Sequence, residues 1–290
     1  NMLNENAGIE TDLTVVCLDK NYFRIISSAV VRTHDKAHIL KHLSQDVEFK
    51  DVTDDLICLG VFGPKSRDLL SQITNEDLTN ENFKFGNSKY IKLGSLNVWA
   101  QRLSFVGELG FELYVENLYG KDLYKLILNS GKKFNISHCG AHTMDTMRME
   151  SGFLHWGHDI TPEENQYQAG LNFAISYKKP FNFIGKEKLL KIKDKKQDKR
   201  LVMLCLKNSK PGYPLLLHEE PIYLNNKIIG KTTSGNYSFN YNKNISFGYI
   251  NSKLSNTELN DLGLFVKIEK QKFQANILFK PLKQSNFKKI

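Results

Sequence analysis

The feature of this sequence that most restricts its fold is a change of pattern close to residue 198. Helix-like and strand-like segments alternate before this point, whereas the rest of the chain is a series of short strand-like runs separated by turn residues. Evenly spaced short strands are typical of β-sandwiches and β-barrels. A lysine-dense amphipathic stretch at 186–200 precedes the change, and we interpret it as a solvated helix with a connector. We therefore predict a mixed region over 1–197 and a small all-β domain over 198–290.

The predicted strands of the second region share a high content of β-branched and aromatic residues. They are 201–206, 222–224, 227–229, 245–250, 265–269 and 273–279. Asn225 and Asn226 separate two of them, and asparagine tolerates the positive φ of a tight hairpin turn. The pattern thus predicts a β-hairpin at this position.

The first region is predicted to be α+β. Its strand-like runs are 13–18, 22–27, 56–62, 97–105 and 111–115, and its helix-like runs are 64–73, 118–131 and 141–151. Asn117 is predicted to cap the second helix and Gly131 to end it. Alternation along 111–115 places Phe111, Leu113 and Val115 on one face and the intervening Glu112 and Tyr114 on the other.

Charge and cysteine usage restrict the possible partners and compartment. The net charge is +9, but the lysines are dispersed rather than clustered with arginine and aromatic residues, so we expect no nucleic-acid binding. No apolar run reaches the roughly 18 residues that would span a membrane. Cys17, Cys58, Cys139 and Cys205 form no closely spaced pair. We therefore expect a reducing compartment: the cytoplasm, or the mitochondrial matrix in a eukaryote.

Two local motifs are weak candidates for chemistry. The run 60–66 resembles a phosphate loop superficially, but Pro64 removes a backbone N–H that such a loop would use. His155, His158 and Asp159 are potential metal ligands, but nothing nearby completes a zinc pattern. We predict no metal site and give this segment a structural or ligand-lining role.

Taken alone, Glu112 and Arg148 are unremarkable. Arg148 lies three residues after Asp145, so an exposed ion pair on a helix explains it. Glu112 fits the solvated face of a strand. These local interpretations leave both residues without a function.

Five segments together resemble the folate-binding domain of the glycine-cleavage T-protein (aminomethyltransferase) family. They are MLNENAGIETDL at 2–13, RLSFVGELGFEL at 102–113, MDTMRMESG with HWGHDITP between 144 and 162, FIGKE at 183–187, and GKTTSG at 230–235, where the family has a turn of the barrel. They occur in the family's order and cover essentially the whole chain. The resemblance implies an aminomethyltransferase-type folate-binding fold, in part, followed by a small C-terminal β-barrel.

The residues of two segments resemble one branch of this family more closely than the free-standing T-proteins. LSFVGELGFEL and HWGHDITP resemble the C-terminal half of dimethylglycine and sarcosine dehydrogenases, and Met144 stands where free-standing T-proteins typically carry arginine. The resemblance implies capture of an oxidised N-methyl carbon as methylenetetrahydrofolate. The alternatives are a T-protein aminomethyltransferase and a non-catalytic regulatory module of the same fold.

The resemblance also assigns roles to individual residues. It implies that Asp12 is catalytic, beside the reactive nitrogens of tetrahydrofolate, and that Glu112 accepts hydrogen bonds from the pteridine ring. Phe105 stands where T-protein has a tyrosine that lines the folate. The residues implied to bind tetrahydrofolate are Glu112, Phe105, Tyr114, Arg148 and Trp156, in a cleft to which Asp12 also contributes.

The dehydrogenase branch implies further partners. Oxidation of a methylated glycine-derived amine requires FAD, which the resemblance places in an upstream domain. The sequence begins at Asn1 and enters a strand-like segment almost at once, so we expect a fragment or a processed chain. The identity of the methylamine is left open.

Overall fold

The computed structural model describes residues 1–251, 253–284 and 287–290. The described residues divide into two compact units. The first combines Asn1–Gln45 with Gly152–Leu282, and the second combines Asp46–Ser151 with Lys283–Ile290.

Strands account for most of the regular structure. They are β1 (Met2–Leu3), β2 (Ile9–Thr11), β3 (Thr14–Asp19), β4 (Tyr22–Ile26), β5 (Leu56–Phe62), β6 (Ser88–Leu93), β7 (Leu96–Gln101), β8 (Gly110–Glu116), β9 (Arg200–Leu206), β10 (Pro221–Leu224), β11 (Lys227–Ser238), β12 (Lys243–Ile250), β13 (Leu264–Ile268) and β14 (Gln271–Leu278). The α-helices are α1 (Arg32–His42), α2 (Ser66–Leu70), α3 (Gly120–Gly131), α4 (Ala141–Glu150), α5 (Lys186–Ile192) and α6 (Asn256–Asp261).

An antiparallel sheet in the order β5-β8-β7-β6 forms the centre of the second unit. Phe111, Leu113 and Val115 alternate along β8 and enter one hydrophobic core, where Leu123 and Ile127 of α3 join them. Burying these side chains contributes roughly 1.5–3 kcal/mol each. Because alternate residues of a strand point to opposite faces, this packing directs Glu112 and Tyr114 to the other face of the sheet.

A closed antiparallel barrel in the order β10-β11-β12-β9-β14-β13 belongs to the first unit. Leu204, Ile222 and Val266 are among its fully buried core residues. Closure leaves the strands without free edges. The prediction of an α+β fold followed by a small C-terminal β-barrel is therefore confirmed.

The hairpin prediction is also confirmed. Strand β10 ends at Leu224, β11 begins at Lys227, and Asn225 has a φ of 54°. The GKTTSG segment, expected as a turn, instead lies within β11, with a register shift between Thr232 and Ser234. The bulge bends the strand without ending it.

Several predicted boundaries in the second unit were wrong. The helix expected over 64–73 is limited to α2, and the strand expected over 97–105 ends at Gln101, so Phe105 lies in a loop. Asn117 does not cap α3; its side chain donates to the carbonyl of Asp54 at 3.2 Å, and a 3₁₀ turn leads into the helix. The ends of these helices and strands depend on tertiary hydrogen bonds, which the periodicity of the sequence does not encode.

Candidate ligand-binding site

Glu112 lies near the start of β8, on the face of the sheet opposite the core. It pairs in register with Gly60 of β5 and with Gln101 of β7. Gly60 carries no side chain, and Gln101 is 1% exposed. The Oε1 atom of Gln101 accepts no hydrogen bond from any described residue. Glu112 therefore lies beside a second polar acceptor.

The orientation of Glu112 depends on Tyr114. The Tyr114 hydroxyl donates to Oε2 of Glu112 at 2.7 Å. The Tyr114 side chain is 8% exposed, and its ring centroid lies 4.9 Å from that of Trp99 on β7. Cys58 is opposite Tyr114 on β5. Packing against Trp99 fixes the Tyr114 ring, and this in turn fixes the position of the hydroxyl that donates to Glu112.

The electrostatics of these groups follow from partial burial. Burial raises the pKa of Glu112, and the hydrogen bond from Tyr114 acts in the opposite direction. Burial also raises the pKa of Tyr114, as does the nearby Glu112 carboxylate. The pKa of the Cys58 thiol rises to about 11, mainly because the surrounding protein displaces water from it although the residue is exposed. Near neutral pH the Tyr114 hydroxyl and the Cys58 thiol thus both keep their protons.

The structure corrects the local interpretation of Arg148. An exposed ion pair on α4 was expected, but Arg148 is only 1% exposed. Its Nε and Nη2 atoms each lie 2.8 Å from Oδ1 of Asp145, whose side chain is 32% exposed. Arg148 is therefore a buried cation, and its contacts include the solvent-reaching carboxylate of Asp145. Phe105 is half-buried in the loop after β7.

Asp12 lies at the surface of the first unit, directly after β2. The side-chain amide of Asn1 donates to its Oδ1 at 2.8 Å. Although the side chain is exposed, the surrounding protein displaces enough water to raise its pKa. The amino group and side chain of Asn1 oppose this shift, and Asp35 adds to it. A carboxylate with a raised pKa is better suited to accept a proton than an ordinary aspartate.

Trp156 is fixed by two contacts within the first unit. Its Nε1 donates to the carbonyl of Ile9 at 2.9 Å, and its ring lies 5.0 Å from that of His34. His34 in turn lies 3.1 Å from a carboxylate oxygen of Glu10 and 3.1 Å from one of Asp35. Asp35 is 3% exposed. This group was missed in the sequence because its members are far apart in the chain.

The segment around His158 has a structural anchor in Asp159. This residue is fully buried and accepts hydrogen bonds from the hydroxyls of Thr233 at 2.6 Å and Ser234 at 2.8 Å, both at the bulge of β11. The backbone N–H of His155 donates to the same carboxylate at 3.0 Å. The bulge thus supplies the partners of a buried charge, which a turn prediction could not reveal.

The candidate residues fall into the two units. Asp12 and Trp156 belong to the first, whereas Phe105, Glu112, Tyr114 and Arg148 belong to the second. Among the latter, the structure joins Glu112 and Tyr114 directly. In the described ranges, no three histidine, cysteine or acidic side chains group as metal ligands. No helix of the described part is long and apolar enough to cross a membrane.

Comparison with known proteins identifies the family. The GCVT N-terminal domain family matches residues 1–179, and the glycine cleavage T-protein C-terminal barrel domain family matches residues 199–283. The chain belongs to the glycine cleavage T-protein family. It is 30% identical over 291 residues to an aminomethyltransferase of Caldanaerobacter subterraneus, covering 99% of this chain and 75% of that protein.

A solved structure has the same fold. The chain superposes on the glycine cleavage system aminomethyltransferase T from Bartonella henselae with a TM-score of 0.81 and 21% identity, covering 97% of this chain and 74% of that one. The two family models confirm the predicted family membership, and this superposition shows the fold.

Other relatives are much longer than this chain. It is 35% identical over 286 residues to the mitochondrial dimethylglycine dehydrogenase of Homo sapiens, covering 97% of this chain and 32% of that protein. The sarcosine dehydrogenase of Mus musculus is 33% identical over 267 residues, covering 86% of this chain and 28% of that protein. The chain thus spans about a third of the length of these dehydrogenases.

Proposed function

We propose that this chain is the tetrahydrofolate-binding, one-carbon-transferring part of an FAD-dependent dimethylglycine or sarcosine dehydrogenase. The observation that carries the proposal is the Glu112 carboxylate, of which Tyr114 holds one oxygen at 2.7 Å. Oε1 of Glu112 has no hydrogen-bond partner among the described residues. This half-buried carboxylate therefore has an oxygen with which to accept from a ligand.

The hydrogen-bond acceptors of the site fit a pteridine. A pteridine edge carries adjacent N–H groups, and a carboxylate accepts from two such donors side by side. Hydrogen bonds to a charged group contribute roughly 1.5–3 kcal/mol each. Phe105 is a half-buried aromatic surface of the same unit, suited to contact a flat ring. We assign binding of the ring to Glu112 and Phe105, with Tyr114 and Arg148 supporting them.

Asp12 is proposed to act on the chemistry itself. Tetrahydrofolate supplies the two neighbouring amine nitrogens that accept the carbon, and each loses one proton when its bond to carbon forms. Asp12 accepts one of these protons and stabilises the developing positive charge. The second proton leaves with the departing amine. Trp156 is also proposed to contact the folate.

The oxidation that produces the reactive carbon is assigned elsewhere. Removal of hydride from an N-methyl group is the chemistry that FAD supplies when bound. We place FAD in an upstream domain, as in a full-length dehydrogenase. The methylated amine, and a location in the cytoplasm or the mitochondrial matrix, belong to the same proposal.

Two other functions are compatible with the family but less well supported. One is free-standing aminomethyltransferase activity, and identity is 30% to such a relative against 35% to human dimethylglycine dehydrogenase. The other is a non-catalytic role, and the pyruvate dehydrogenase phosphatase regulatory subunit of Mus musculus is 31% identical over 255 residues. The presence of both Asp12 and Glu112 favours a catalytic protein.

Calorimetric titration of the purified chain with folinic acid tests the proposal. We expect saturable binding that Glu112→Gln weakens. Glu116→Gln is the matched control, because Glu116 lies on the same face of β8 but is exposed. Folded chain that binds no folinic acid, or binding equally weakened by the control, would refute the site.

A further inference from the structure

The face of the sheet that carries Glu112 also carries a row of side chains that crosses all four strands. The row consists of Cys58 on β5, Tyr114 on β8, Trp99 on β7 and Tyr90 on β6. Trp99 and Tyr114 are buried, while Cys58 and Tyr90 are exposed. Of this row, the Tyr114 hydroxyl contacts Glu112.

Proton counting assigns the direction of the hydrogen bonds. A tyrosine hydroxyl has one proton, and that of Tyr114 is donated to Oε2 of Glu112. The phenolic oxygen is then left as an acceptor. Cys58 lies opposite Tyr114 in register on β5, and its thiol stays protonated at neutral pH because its pKa is raised to about 11. The hydrogen bond of this row that reaches Glu112 therefore runs from the Tyr114 hydroxyl to the carboxylate.

We infer that Tyr114 is a positioning residue, which holds the Glu112 carboxylate so that Oε1 is presented to the ligand. The inference rests on the proposed function for the identity of the ligand, but the contact between Tyr114 and Glu112 stands without it. The resemblance implied only that Tyr114 belongs to the folate-binding residues.

The fixed orientation has an energetic consequence. A free glutamate side chain samples several rotamers, and ordering it on binding has an entropic cost. The hydrogen bond from Tyr114 already orders the Glu112 side chain in the free protein, so less entropy is lost when the ligand binds. The same hydrogen bond stabilises the ionised carboxylate, which is the form that accepts from ligand N–H groups.

Tyr114→Phe separates positioning from packing, because the ring that lies against Trp99 is kept. We expect the affinity for folinic acid at pH 8 to fall about 5-fold, from the loss of one net hydrogen bond. When the solution is acidified, we also expect the variant to lose its affinity at a higher pH than the natural chain does. The reason is that the pKa of Glu112 rises when Tyr114 no longer donates to it. The titratable groups facing Glu112 are Tyr114 on β8 and Cys58 on β5, while Gln101 on β7 is neutral.

The decisive measurement needs no ligand. Carbon NMR titration of the Glu112 carboxyl group should show a higher midpoint in Tyr114→Phe than in the natural chain. Tyr90→Phe is the matched control, because it removes an exposed hydroxyl from the same row and should shift nothing.

The outcomes of the two experiments are distinguishable. A Glu112 midpoint unchanged by Tyr114→Phe overturns the inference even when folinic acid binds. A shifted midpoint in a chain that binds no folinic acid supports the positioning role of Tyr114 and refutes the proposed function.

Discussion

The candidate residues of the two units are held in different ways. In the second unit, Tyr114 and Arg148 are buried, and each makes a short polar contact with an acidic partner. In the first, Asp12 is exposed and its carboxylate is held by Asn1. Burial fixes a side chain and makes its replacement costly, whereas an exposed group is replaceable at little cost to stability. The proposed binding residues of the second unit are therefore held more rigidly than the proposed catalytic residue of the first.

The largest effect is expected at Asp12. Asp12→Asn should lower the catalysed rate of methylenetetrahydrofolate formation from formaldehyde and tetrahydrofolate by about 1000-fold, because the amide cannot accept a proton. The midpoint of urea unfolding should not change. The measurement is the rate above the uncatalysed reaction, with Asp19→Asn of the same unit as the control. An unchanged rate would show that Asp12 is not catalytic, and a loss of stability would contradict the low cost expected for replacing an exposed group.

The next effect concerns stability in the second unit. Arg148→Met should lower the free energy of unfolding by about 2 kcal/mol, because it removes the donor of the charge-assisted hydrogen bonds to Asp145. Urea unfolding measures this, and Lys125→Met, which replaces an exposed cation on α3, should have almost no effect. If Arg148→Met weakened folinic acid binding but left stability unchanged, Arg148 would contact the ligand rather than support the fold.

A smaller effect is expected at Glu112. Glu112→Ala should weaken folinic acid binding about 20-fold, the equivalent of losing one charge-assisted hydrogen bond. The rate at saturating folate should change little, since the contact exists in the ground and transition states alike. Titration calorimetry and saturation kinetics check the two parts. If the rate at saturating folate fell as far as it does in Asp12→Asn, Glu112 would be a catalytic residue as well as a binding residue.

The smallest effect is in the response to pH. Burial raises the pKa of Glu112, so a carboxylate ionised in the folded state costs stability above that pKa. Glu112→Gln should therefore make the chain slightly more stable than the natural one at pH 8, and this difference should vanish as the pH falls through the pKa. Urea unfolding at several pH values tests this, and a chain that Glu112→Gln destabilises at pH 8 would contradict it.

Much of this protein follows from its sequence alone. Alternation along 111–115 determined which side chains enter the core, because successive residues of a strand point to opposite faces. Asn225 determined the position of a hairpin through its tolerance of positive φ. Ordered motifs determined the family. These features depend on local backbone preferences, or on residue types that keep their spacing in the chain.

Only the tertiary structure decided how the polar groups are paired. The burial of Arg148, the hydrogen bond between Tyr114 and Glu112, and the anchoring of Asp159 by the bulge of β11 involve packing or strand register. The segment 230–235 has turn-like composition but lies in a strand, since its backbone pairs with β12. The free energy of a buried charge depends on which groups surround it in space, and residues distant in the sequence supply most of those groups.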